Sequence, residues 1–145
     1  MKKTTEKMKV GNEYAGKPKV MAEARVFAFS GGKFNAPGGF PAKNHHTSLE
    51  IAKSAGLPTR AVAGTQHEGY VTELMIDLFG EIWFEKGKMA VKFIALVDVG
   101  DTVTSKATVV SIEEENGGSR VHFNIWCENQ HSNKVLVGTA SCLAG

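Results

Sequence analysis

The spacing of apolar residues changes once along this chain, and that change limits what the chain can fold into. In TQHEGYVTELMIDLF, residues 65–79, Tyr70 or Val71, Leu74, Met75 and Leu78 recur three or four positions apart. This spacing places an apolar stripe along one side of an α-helix. Beyond it the period falls to two. Segments 81–84, 89–97, 102–113, 119–130 and 134–143 are rich in Val, Ile, Phe, Trp and Thr, which predicts strands. Val121, Phe123, Ile125 and Cys127 fall on one face, with His122, Asn124, Trp126 and Glu128 on the other. The connections Gly100-Asp101, Glu115-Asn116-Gly117-Gly118 and His131-Ser132-Asn133 are short, so successive strands are expected to be antiparallel neighbours. One long helix followed by a meander predicts an α+β layer in which the sheet curls round the helix.

Ahead of the helix the pattern is less regular. Residues 1–7 are polar and read as a disordered basic tail, residues 8–11 as a short opening strand or turn. Lys17–Val20 is too short to assign alone. MAEARVFAF, residues 21–29, fits a short amphipathic helix, with a strand as competitor. From Ser30 to Lys43, Gly31, Gly32, Gly38 and Gly39 with Pro37 and Pro41 exclude regular structure and leave a long loop, of a length that in compact domains is usually functional or mobile. Thr47-Ser48-Leu49-Glu50 then offers a capping box on Thr47, opening a helix to about Ala55 that stops at Gly56. His46 stands just ahead of that helix start.

Composition removes several function classes. At 145 residues and 42% hydrophobic content the chain closes one core, so residues 8–145 are read as a single domain. The net charge of +2 comes largely from Lys2, Lys3, Lys7 and Lys9 against Glu6. No basic patch interleaved with aromatics follows, which argues against nucleic-acid binding. Cys127 and Cys142 lie in apolar alternating segments as free, small hydrophobes. No apolar run reaches about 18 residues, and the basic start leads into no apolar leader core. Together these predict a cytoplasmic protein with no membrane partner. The glycine-rich loop has no phosphate-cradle spacing. His45 and His46, being adjacent, do not converge on a metal, and no metal or cofactor is expected.

NHHTSLEIAKSAGLPTRAVAG, from Asn44 to Gly64, resembles the MaoC-like (R)-specific enoyl-CoA hydratases and dehydratases, in which a catalytic His precedes a short helix and a Gly follows about eighteen residues later. Val91-Lys92-Phe93 through Val99-Gly100-Asp101-Thr102 looks like that family's strand and Gly-Asp turn, and Cys127–Ala140 like its closing hairpin. The resemblance implies a hot-dog fold, a homodimer, and addition of water to an enoyl thioester carried by CoA or acyl carrier protein. It implies that His46 handles the proton of water and that the Gly64 N–H holds the thioester oxygen. Gly64 permits close backbone approach, and a helix N-terminus favours developing negative charge. The family's Asp commonly stands five residues before its His. That position is Pro41 here, or Gly32 if the loop is an insertion.

Without that Asp, Asn44 and Glu68 become the further catalytic candidates, and Asn35, Phe40, His45, Ala63 and Tyr70 the candidates for contact with substrate. Phe34 and Phe40 suit an apolar pocket wall. Two other readings fit the same scaffold: a thioesterase using Glu68 or Glu73 on the long helix, and a non-catalytic subunit that binds acyl-CoA.

Overall fold

The computed structural model describes residues 8–31 and 43–144. The first strands are brief: β1, Glu13–Ala15, and β2, Lys19–Val20, both pair with β4. Helix α1, Glu23–Ser30, and helix α2, Leu49–Ser54, precede the long helix α3, Gly64–Phe79. A short helix α4, Ile82–Lys86, leads into β3, Lys88–Phe93, then β4, Thr102–Glu115, β5, Gly118–Glu128, and β6, Lys134–Ala144. The chain forms an antiparallel sheet in the order β1-β4-β5-β6-β3 with α3 against its inner face.

Alternation decides which face goes inward. Val121, Phe123, Ile125 and Cys127 of β5 are buried and their neighbours are not, and β4 repeats the pattern with Val103, Ala107 and Val109. Val71, Leu74 and Met75 of α3 close on this face in one cluster. Each such side chain contributes roughly 1.5–3 kcal/mol by leaving water. The rings of Tyr14 and Phe79 meet Phe123 edge-on, with centroids 6.4 and 5.8 Å away.

Three expectations are corrected. Residues 81–84 are not a strand. Gly80, at φ +64°, ends α3, and α4 follows with Trp83 turned into the core and Gly87 beneath its ring; a run of four residues is too short for its period to separate strand from helix. Successive strands are not all neighbours either. β3 pairs with β6 at the far edge, from Lys88 opposite Ser141 to Phe93 opposite Leu136, because residues 94–101 carry the chain back across the sheet before β4 begins. The cap of α2 is Ser48, whose hydroxyl accepts from the Ile51 N–H at 3.4 Å. Glu50 therefore stands one position early for the box. Gly56 ends that helix as expected: at φ +83° it donates to Lys53 O while Leu57 N reaches Ala52 O, the paired bonds of a Schellman motif.

Candidate active site

The turn at residues 44–48 is built by Asn44. Its carbonyl accepts from Thr47 N at 3.1 Å and Ser48 N at 2.8 Å, and its N–H donates to Thr47 Oγ1 at 3.1 Å. Its side chain works in both directions. Oδ1 accepts from the His46 N–H at 2.8 Å, and Nδ2 donates to Ser30 O, the last residue of α1, at 2.6 Å. A buried amide bonded on both ends has little rotational freedom, so Asn44 ties His46 to the end of α1.

His46 is itself buried, with 7% of its surface exposed. Its Nδ1 lies 2.6 Å from the carbonyl of Ala61. A carbonyl only accepts, so Nδ1 carries the proton and, in the neutral ring, Nε2 carries the lone pair. Burial lowers the pKa of His46 below its ordinary value; the Ala61 carbonyl opposes this and the neighbouring His45 ring adds to it. The exposed His45 ring lies 3.9 Å from that of His46, centroid to centroid. Held neutral with a defined tautomer, His46 has the form a general base requires.

Ala61 also fixes where α3 starts. It bridges to Asp98, and Val62 N donates to Val97 O at 2.7 Å. Ala63, buried, is the N-cap, and Gly64 is the first helical residue. The N–H groups of a helix's first turn have no acceptor within the helix. Gly64 is glycine for a local reason: a Cβ there would lie 2.8 Å from Cε1 of Phe93.

The remaining candidates are spread along α3. Glu68 is half-buried and opens the second turn, where its carbonyl takes a 3.4 Å bond from Thr72 Oγ1. Tyr70 Oη accepts from Gln66 Nε2 at 3.1 Å, and Lys19 Nζ sits over its ring, 5.4 Å from the centroid. Glu73 is exposed and paired with Lys19 at 2.8 Å. Asn35, Phe34 and Phe40, with the positions Gly32 and Pro41, lie outside the described residues. Among the described residues no three His, Cys, Asp or Glu side chains are grouped to hold a metal, and no helix is long and apolar enough to cross a membrane.

Two further polar residues of α3 are buried: Gln66, which the sequence does not single out, and His67, which it places beside Glu68 near the helix start without a role. Gln66 is 4% exposed, and its Oε1 has no partner among the described residues. His67 is 2% exposed, with neither ring nitrogen bonded, and its ring stands edge-on to Phe93 at 5.5 Å. Desolvation pushes its pKa down to about 4. Their signal was present, since polar residues stand at 66 and 67 one turn ahead of Tyr70 and Val71, on the side that runs on into the apolar stripe.

No family model matches the sequence, and no curated protein matches it. Solved structures do. A MaoC-like dehydratase from Rhodospirillum rubrum superposes with a TM-score of 0.74 at 17% identity, over 94% of this chain and 92% of that one. The (R)-hydratase from A. caviae involved in PHA biosynthesis gives 0.72 at 18%, over 97% and 100%. An unliganded R-hydratase from Pseudomonas aeruginosa gives 0.70 at 20%, over 94% and 82%. These likenesses span both chains almost end to end, and this protein has the hot-dog fold of the MaoC-like dehydratases and R-hydratases.

Proposed function

We propose that the protein hydrates an enoyl thioester carried by CoA or acyl carrier protein, or runs the reverse dehydration. The observation that carries this reading is the His46 Nδ1 bond to Ala61 O, which puts the lone pair on Nε2 of a buried, neutral ring anchored three residues before α3 begins. In the forward direction the oxygen of water bonds to C3 of the enoyl group and its proton passes to Nε2. Negative charge moves to the thioester oxygen, where the Gly64 N–H and the positive end of α3 stabilise it. The enolate then takes the proton from the imidazolium at C2. Names of the structural neighbours, hydratases and dehydratases, support this reaction class.

We further propose a homodimer formed along β3. That strand is one edge of the sheet, and Phe93, Ile94 and Leu96 at and beyond its end are 46, 49 and 57% exposed. An open edge beside apolar surface invites pairing with a second copy. A cytoplasmic location goes with this substrate class.

The test follows the enoyl-thioester absorbance of a short trans-2-enoyl-CoA, with free thiol measured in parallel. Removing a general acid–base costs about 10²–10⁴-fold, so His46→Ala should lose hydration by that factor. Thiol release that survives in His46→Ala and collapses in Glu68→Ala would replace this reading with a thioesterase.

A further inference from the structure

His46 is held from two sides, and both attachments lead to one turn. On the ring side, the Ala61 carbonyl that binds Nδ1 belongs to an extended stretch outside any helix or strand. Its support is the crossing segment: Val62 N donates to Val97 O at 2.7 Å, Val99 N donates to Arg60 O at 3.3 Å, and Ala61 bridges to Asp98. On the backbone side, the His46 N–H rests on Asn44, and Asn44 rests on Ser30 at the end of α1. Met21, just ahead of α1, donates to Asp101 O at 2.7 Å and accepts from Gly100 N at 2.8 Å. Residues 98–101 therefore carry both attachments.

One carboxylate fixes that turn. Asp101 N donates to Asp98 O at 3.0 Å, and Asp101 Oδ2 accepts from Asp98 N at 2.9 Å, so backbone and side chain close the turn together. Gly100 between them takes φ +102°, where a side chain would be strained. The other carboxylate oxygen, Oδ1, accepts from Gln130 Nε2 at 2.8 Å, and Gln130 Oε1 accepts from Thr102 N at 3.1 Å. Gln130 comes from the β5–β6 hairpin, which closes without it: Asn129 N donates to Asn133 O, and Asn129 Oδ1 accepts from His131 N and Asn133 N. A carboxylate bonded at both oxygens, each bond charge-assisted, has little freedom to turn. The hairpin does not need Gln130, and the turn keeps a backbone bond without the carboxylate. What the side-chain bonds add is a fixed place for residues 98–101 against the sheet, and with it a fixed place for both attachments of His46.

We propose that Asp101, keyed to the sheet by Gln130, is a positioning residue for His46. It holds Ala61 O against Nδ1, which keeps the proton there, and it fixes the direction in which the lone pair of Nε2 meets the reacting water. This rests on the hydration reading above, in which neither Asp101 nor Gln130 touches substrate.

Three variants test it. Asp101→Ala removes both side-chain bonds, Asp101→Asn keeps an acceptor for the Asp98 N–H, and Gln130→Ala changes an exposed hairpin position outside the site. The tautomer of His46 is read from the nitrogen chemical shifts of its imidazole, identified by the signals missing in His46→Ala. In parallel, kcat and KM are measured separately with a short trans-2-enoyl-CoA. In the wild type Nε2 should be the unprotonated nitrogen. Asp101→Ala should mix the two tautomers and lower kcat at least about tenfold with KM changed less than about twofold, since a misplacement of about 1 Å is worth up to about 10²-fold. Gln130→Ala should act in the same direction to a smaller degree, and Asp101→Asn should restore most of the wild-type tautomer. Should Asp101→Ala not fold, Gln130→Ala decides by the same readouts. Wild-type tautomer and kcat in the folded variants, or a change in KM alone, would overturn the proposal while leaving the hydratase reading intact. If the wild type turns over no enoyl thioester, the tautomer decides: mixing in the variants upholds the positioning role and removes the hydratase, and no mixing removes both.

Discussion

The sheet and the helical segment before it handle buried polar groups differently. In β4–β6 the buried polar residues are Ser105 and Ser141, within strands whose backbones are paired on both sides. Between residues 30 and 67 lie Ser30, Asn44, His46, Gln66 and His67, all buried. Of these, Ser30 Oγ, Gln66 Oε1 and both nitrogens of His67 have no partner among the described residues. An unsatisfied buried polar atom costs about 1–3 kcal/mol. The sheet contributes one such atom, His122 Nε2, which faces Glu113 Oε2 at 3.4 Å, so most of them fall in the helical segment, the place where stability is traded for chemistry with the sheet as support.

The contrast is sharpest in the effect of truncating the sheet's core. Phe123, 1% exposed and flanked by two aromatic rings, should cost about 3–5 kcal/mol as Phe123→Ala, read from the shift of the chemical denaturation midpoint. A loss under 1 kcal/mol would mean that the sheet is not the main support.

Next in size is a pH effect confined to the helical side. His67 titrates at about 4 when folded and near 6.5 when unfolded. Between those values the unfolded chain binds the extra proton, so stability is complete above pH 6.5 and falls as pH drops, by up to about 3 kcal/mol near pH 4. His46, also lowered, acts in the same direction. His67→Leu should flatten most of this slope in denaturation curves taken from pH 7 to 4. An unchanged slope would place the titrating group elsewhere.

Asn44→Ala should have the smallest effect on stability, about 1–3 kcal/mol for the unpaired groups it leaves. It separates positioning from chemistry: it should reduce kcat by loosening His46 while leaving the pH at half-maximal rate in place. A shifted pH profile would make Asn44 part of the proton transfer itself.

The same division explains what could be read from the residues alone. Alternation in 102–113 and 119–130 was legible because one buried face repeats over many positions. β1 and β2 were not, being only three and two residues long, and neither was the far-edge place of β3, which depends on where residues 94–101 cross. At the site, His46 could be picked out by its place before a capped helix. The tautomer set by Ala61, fifteen residues away, could not, because a backbone carbonyl leaves no trace in the identity of its residue. Gln66 and His67 stand one turn ahead of Tyr70 and Val71 on the side of the apolar stripe, but the stripe alone accounts for the helix and says nothing of whether the polar positions ahead of it are buried.

The pairing of β3 with β6 bears on how the chain is made. Among the described residues Lys88–Phe93 has one partner strand, at residues 136–141, so during synthesis β3 waits about forty-five residues for it. At ribosomal rates of about 5–20 residues per second this lasts a few seconds. The nascent chain carries its open edge through that interval, which makes the crossing at residues 94–101 the natural point for a chaperone to act and for misassembly between neighbouring chains to begin.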